Sequence, residues 1–159
     1  MAETAHSGAL FAAGCFWAVE AAFRRLDGVL DTAVGYCGGS LEAPSYAQVC
    51  TGATGHAETV WVAFDPAVIS YRALLETFWT CHDPTQRDRQ GPDIGVQYRS
   101  VIFVQDAAQR EAALESRRAL SDRGRWPRLI VTATEPAAQF WRAEEEHQRY
   151  LEKHRGAYC

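Results

Sequence analysis

The sequence predicts an α+β fold: a ferredoxin-like βαββαβ core of the split-βαβ type, extended by a C-terminal strand and helix into a two-layer sandwich. Three observations lead there. Segments with apolar residues at helical spacing alternate with short runs of β pattern. The first six segments read strand, helix, strand, strand, helix, strand. The composition, 47% apolar or aromatic and 23% charged over 159 residues, suits one domain with a real core, expected to span 1–159.

Residues Gly8 to Ala12 form the first strand, broken by Gly14. Phe16, Val19, Phe23 and Leu26 then keep helical spacing until Gly28. A second strand runs from Val29 to Tyr36, into a Gly-Gly loop. Glu58, Val60, Val62 and Phe64 alternate as a strand should, and Asp65-Pro66 closes it. Ser70 is placed to cap a helix carrying Leu74, Leu75, Phe78 and Trp79. Tyr98 to Val104 is the next strand, and Asp106 with Gln109 resembles a capping box opening a polar helix to about Ser121. Leu129 to Thr134 is the last strand, with Pro136 at the first position of a final helix. The loops 37–57 and 82–97 are long for a compact domain, and such loops tend to carry function.

Sixteen Lys and Arg against twenty Asp and Glu give a net charge of −4. No basic field exists to attract nucleic acid or an anionic membrane. No apolar run reaches the ~18–20 residues of a membrane span. The first residues lack the basic and apolar regions of a secretory signal, so a cytoplasmic protein is expected.

Five cysteines, Cys15, Cys37, Cys50, Cys81 and Cys159, lack both the even count of a disulfide scaffold and the paired spacings of a structural zinc site. In a reducing compartment most such thiols pack, and one or two react. Cys15, in Gly14-Cys15-Phe16-Trp17, falls at a predicted helix N-terminus. Orphan N–H groups and the positive end of the helix dipole there favour thiolate over thiol. Phe16 and Trp17 are consecutive and cannot share one helix face. A thiolate flanked by aromatic rings suits a substrate with a small apolar group, such as a methyl, beside a polar reacting atom.

Glu58 shares its strand face with Val60, Val62 and Phe64. A carboxyl among such neighbours rises in pKa and can donate a proton near neutrality, but as the first residue of its strand Glu58 reads slightly better as an exposed side chain from the local pattern alone. Tyr46, Asp93 and Tyr98, from the two long loops or their junctions, could together hold a polar oxygen. His147 lies at helical spacing with Phe140, Glu144 and Tyr150-Leu151 and reads as a packing residue.

Gly14-Cys15-Phe16-Trp17, Gly35-Tyr36 with Gly38-Gly39, and Thr54-Gly55-His56-Ala57-Glu58 together resemble motifs of A-type peptide methionine sulfoxide reductases. So do Phe78-Trp79, His82-Asp83-Pro84-Thr85, Gln90-Gly91-Pro92-Asp93 and Gln97-Tyr98-Arg99-Ser100. Ala143-Glu144, His147-Gln148 and Tyr150-Leu151-Glu152-Lys153 extend the resemblance from about residue 8 to the last residue, in order. It implies reduction of methionine S-sulfoxide, in proteins and as the free amino acid, to methionine. By that resemblance Cys15 is the nucleophile, Glu58 the acid, and Tyr46 and Tyr98 the donors to the sulfoxide oxygen. Asp93 helps hold the polar network, and Phe16 and Trp17 receive the substrate methyl. No cofactor or metal is implied, the reductant is thioredoxin, and a monomer is expected. Ala18, Pro92 and Glu146 depart from the residues common in the family at those positions.

The family's recycling cysteine corresponds to Cys159, in Gly156-Ala157-Tyr158-Cys159, at an end free to swing inward at little ordering cost. Cys37, in the Tyr36-Cys37-Gly38-Gly39 loop, is its rival as the partner of Cys15. Two other functions compete with the reductase. One is a cysteine hydrolase using Cys15 with His56, His82 or His147. The other is a zinc-held module built on Cys37, Cys50, Cys81 and a histidine.

Overall fold

The computed structural model describes residues 7–155. Their elements are β1 (Ser7–Ala13), α1 (Phe16–Arg24), β2 (Val29–Cys37), α2 (Tyr46–Cys50), β3 (Ala57–Phe64), α3 (Tyr71–Thr80), β4 (Arg89–Gln90), β5 (Asp93–Ile94), β6 (Ser100–Val104), α4 (Ala107–Asp122), β7 (Ala133–Pro136), β8 (Trp141–Arg142) and α5 (Tyr150–Lys153). Short 3-10 turns cover Val96–Tyr98 and Glu145–His147. Six strands form one sheet in the order β7-β6-β1-β3-β2-β8, and β4 and β5 form a separate hairpin. The central four, β6-β1-β3-β2, are antiparallel neighbours, the pairing expected of a ferredoxin-like core. At one edge β7 joins β6 in parallel, a pairing that needs a crossover, which α4 supplies.

Strand alternation divides the buried side chains between two faces. Phe11, Val34, Tyr36, Val60, Val62 and Ile102 pack with Phe16, Val19 and Phe23 of α1 and Leu74, Leu75 and Phe78 of α3. The opposite face carries a smaller cluster that includes Leu10, Cys37, Ala57, Val101 and Phe103, with Trp61 and Phe140 packed against it. The caps form where the sequence placed them. The Ser70 hydroxyl accepts the N–H of Ala73, and the Asp106 carboxylate accepts that of Gln109. The Gln109 side chain reaches one residue further back than a capping box requires and accepts the N–H of Gln105.

Both long loops contain structure. The first holds α2, opened by a capping box in which Ser45 and Gln48 bond each other's backbone. The second holds the β4–β5 hairpin and the turn at Val96–Tyr98, so Tyr98 precedes its strand rather than starting it. The C-terminal extension differs most from expectation. Pro136 ends β7 instead of starting a long helix, and α5 is a single turn. The side chain of Gln148 explains the extended path. Its Oε1 accepts the N–H of Val34, and its Nε2 donates to the carbonyls of Val34 and Ala143, fastening the segment to the edge of β2. Among the described residues no helix is long and apolar enough to cross a membrane.

Candidate active site

The site gathers at the N-terminus of α1. Gly14 makes the turn from β1 at φ +94°, and a side chain there would strike the Gln90 side chain at 2.6 Å. Gln90 is itself fixed by two hydrogen bonds to the backbone of Asp83. The next residue, Cys15, occupies the N-cap position and is half-buried. It is disulfide-bonded, whereas Cys37, Cys50 and Cys81 carry free thiols. Cys159 lies outside the described residues.

Glu58 stands beside this helix end. Antiparallel pairing sets it opposite Tyr36, and only 2% of it is exposed. The first amide of α1, that of Phe16, donates to Glu58 Oε1 at 3.2 Å. Burial raises the carboxyl to about 8, the Phe16 amide opposes that rise, and the nearby charge of Asp93 adds to it. Burial prevails, so the group is largely protonated at neutral pH.

Tyr46, Tyr98 and Asp93 converge on this carboxyl from α2, the Val96–Tyr98 turn and the hairpin. Burial and then the charge of Glu58 push both phenols upward, Tyr98 to about 12, which keeps them protonated as donors. Tyr98 is located by its neighbour Arg99, whose guanidinium donates to the carbonyls of Val96 and of Gly55, three residues before Glu58. Phe16 is buried, with its ring tilted against Tyr36 at 5.8 Å and Tyr46 at 6.2 Å. Trp17 is half-buried and stacks on Tyr150 at 3.8 Å.

The C-terminal segment supplies two site residues that sequence reasoning missed. Glu144 accepts the backbone N–H of Tyr46 and the hydroxyl of Tyr36, both at 3.1 Å. His147 is not on a helix with Phe140 and Glu144. It is buried beneath the aromatic residues, accepting the indole N–H of Trp17 and stacking on Tyr46. The motif resemblance at Ala143-Glu144 and His147-Gln148 hinted at both, and the hydrolase alternative names His147 as a base for Cys15. His56 and His82, the other two histidines weighed as partners of Cys15, are engaged elsewhere. His56 accepts the Gly39 N–H and donates to the Leu41 carbonyl, and His82 bonds Phe78 and Ser100.

Cys37 is not the mobile loop thiol its glycine neighbours suggested. It ends β2, one residue past Tyr36, so alternation turns it to the opposite face of the sheet. It is fully buried there, its Sγ 3.6 Å from the Ala138 carbonyl, and burial raises its pKa.

An α+β sandwich that sets a helix-capping cysteine beside a buried, protonated carboxyl and two phenols defines a class of thiol chemistry. Comparison with known proteins identifies the family. A family model described as peptide methionine sulfoxide reductase matches residues 7–159. The peptide methionine sulfoxide reductase MsrA of Methanoculleus marisnigri is 59% identical over 95% of this chain and 92% of its own. The crystal structure of reduced Mxr1 from Saccharomyces cerevisiae superposes with a TM-score of 0.90 at 36% identity, covering 97% of this chain and 88% of its own. The same yeast protein in complex with Trx2 matches with a TM-score of 0.65 at 26% identity, over 91% of this chain and 84% of its own. The chain belongs to the peptide methionine sulfoxide reductase family, a family of oxidoreductases.

Proposed function

We propose that this protein reduces methionine S-sulfoxide, in oxidised proteins and as the free amino acid, to methionine. The observation that carries the reading is the docking of buried, protonated Glu58 on the amide of Phe16, next to Cys15. A sulfoxide oxygen leaves poorly unless it is protonated, so the reaction needs a thiolate and a neutral acid side by side.

In this reading the Cys15 thiolate attacks the sulfoxide sulfur while Glu58 protonates the oxygen, and the hydroxyls of Tyr46 and Tyr98 hold that oxygen. Asp93 keeps the surrounding network polar, and Phe16 and Trp17 form the wall for the methyl. The oxygen passes to Cys15 as a sulfenic acid, and methionine departs. The thiol of Cys159 then attacks the sulfenic sulfur, releasing water and leaving a Cys15–Cys159 disulfide. Thioredoxin restores both thiols by exchange and becomes a disulfide itself. Two electrons thus travel from dithiol to sulfoxide, and the chemistry calls on no cofactor. The complex of the yeast relative with Trx2 supports the choice of reductant. The protein acts as a cytoplasmic monomer of one domain, repairing oxidative damage. Turnover of the two methionine sulfoxide epimers with a dithiol tests the reading. The S epimer should be consumed and the R epimer spared. Consumption of neither, or of the R epimer alone, sinks the assignment.

A further inference from the structure

A cavity of about 320 Å³ lies between α1 and the segment that forms α5, and it reaches Trp17, two residues from Cys15. Trp17, Glu20 and Arg24 line it from α1. Their spacing of three and four residues puts them on one stripe of that helix. At ~1.5 Å per residue the stripe runs about 10 Å from Trp17, the wall assigned to the methyl, away from the helix end that Cys15 caps. Arg149 and Glu152 line the cavity from the facing segment, and Arg25, at the far end of α1, completes it.

Both carboxyl groups of the cavity are already bonded. Glu20 is 2% exposed, its Oε2 accepting the Thr32 hydroxyl and its Oε1 the backbone N–H of Arg149 at 2.7 Å. Glu152 pairs with Arg24 at 2.9 Å, and Arg24 also donates to Thr32. Arg25 and Arg149 differ. Both are exposed, and among the described residues neither guanidinium is paired with a carboxylate. Glu145, whose charge Arg149 feels, bonds Arg142 instead. The Glu20 bond also steadies Arg149 at φ +51°, a left-handed backbone uncommon for arginine, and so fixes where that side chain starts. Two cations therefore line a groove that has no carboxylate left to neutralise them.

An oxidised methionine seated against Trp17 belongs to a chain that leaves the site on both sides. An extended chain advances ~3.3 Å per residue, so the stripe is about three residues long. We infer that this cavity is a specificity subsite for the polypeptide flanking the sulfoxide, in which Arg25 and Arg149 select an acidic side chain about three residues from the oxidised methionine. A carboxylate placed there meets two cations without separating an existing ion pair, and a lysine is repelled.

The inference rests on the proposed reductase reading, and its test separates the two. Nonapeptides with a central methionine S-sulfoxide carry glutamate, glutamine or lysine three residues away, before it in one set and after it in another. They are acetylated and amidated, so the test side chain holds the only charge. With the reduced full-length protein, kcat/KM in at least one set should fall in the order Glu, Gln, Lys. Glu should stand about threefold to tenfold above Gln, mostly through KM. Screening by about 0.5 M salt should bring that ratio close to one. Arg25→Gln combined with Arg149→Asn, asparagine being tolerant of the left-handed backbone, should do the same at low salt. The ratio cancels any general loss of activity in the variant. Each single substitution should lower it in part, which keeps the test decisive if the double variant fails to fold. A second readout needs no turnover. Calorimetric titration of Cys15→Ser should give the Glu peptide a lower Kd than the Gln peptide by a similar factor. Equal kcat/KM for Glu and Gln in both sets, a preference indifferent to salt, or one that survives the arginine substitutions would overturn the inference. If wild type reduces none of the peptides, the reductase reading fails, and the order of Kd values in Cys15→Ser still decides whether the cavity selects acids.

Discussion

The backbone amide of Phe16 donates to Oε1 of Glu58 across 42 residues of sequence. That bond joins the first turn of α1, which Cys15 caps, to the second residue of β3. A helix end and a buried carboxyl make contrary demands. The amide favours the carboxylate, and burial favours the acid. Here burial wins, leaving Glu58 near 8.

Glu58→Gln separates this group's chemistry from its stability. The amide keeps the acceptor for Phe16 but has no proton to give, so single-turnover reduction should slow by ~10²–10⁴-fold. Wild-type activity should fall as pH rises past about 8, where Glu58 loses its proton. The sign for folding follows from the same shift. The folded carboxyl titrates near 8 against 4.5 in its ordinary state, so the folded protein holds the extra proton between those values. Its stability therefore falls as pH rises through that window. Denaturant unfolding at pH 9 should find Glu58→Gln more stable than wild type by ~5 kcal/mol, and at pH 4.5 nearly equal to it.

Cys15→Ser should abolish sulfoxide reduction, because a hydroxyl lacks the nucleophilicity and low pKa of a thiol in this attack. Turnover above ~1% of wild type would remove Cys15 from the mechanism, since covalent catalysis normally contributes far more.

Much of this geometry was legible because it rests on short-range patterns. Alternation placed Glu58 with Val60, Val62 and Phe64, and all four are buried on one face. Ser70 and Asp106 announced their helices through side chains that cap three residues away. The helix α2 escaped notice because five residues are too few to show a period, although its Ser45–Gln48 capping box was a readable signal. The C-terminal segment misled for a different reason. Its apolar residues fall at helical spacing, but Gln148 binds Val34 114 residues away, and no local pattern encodes that contact. Glu144 is the same case, bonding Tyr46 from 98 residues away.

Glu144→Ala removes the acceptor for the Tyr46 amide and the Tyr36 hydroxyl together. Tyr46 then loses a restraint on its approach to the sulfoxide oxygen, and a displacement of this kind lowers kcat/KM by ~10-fold or more. Tyr36→Phe removes only one of the two bonds and should cost less. Steady-state kinetics of the two variants and their combination will show the effects to be non-additive, because both act through one carboxylate.

His82 should make the fold sensitive to acid. The Phe78 carbonyl can only accept, so Nδ1 carries the proton and Nε2 accepts from the Ser100 hydroxyl, both at 2.7 Å. Burial lowers the ring from 6.5 to about 4. Between those values the unfolded chain binds a proton that the folded one does not, so stability falls as pH drops from 6.5 to 4. Histidine ring resonances should show one midpoint near 4, with unfolding free energy declining over the same range.

Cys159→Ser tests how the sulfenic acid is resolved. The variant should still reduce one equivalent of sulfoxide per chain, because the first step uses Cys15 alone, yet it should lose turnover driven by thioredoxin. The other thiols are poor substitutes. Cys37 is buried on the sheet face opposite Tyr36, and Cys81 donates to the Phe78 carbonyl with its pKa pushed by burial to about 12. Cys50 is exposed, but burial and then the charges of Glu58 and Glu144 raise it, while its bond to Tyr46 opposes them, so less of it is thiolate at neutral pH. Cys37→Ala should therefore sustain wild-type thioredoxin turnover. Peptide mapping after one equivalent of substrate should recover Cys15 joined to Cys159. A bridge from Cys15 to Cys37, or full thioredoxin turnover in Cys159→Ser, would show that a buried strand thiol can reach across the sheet and would transfer the resolving role to it.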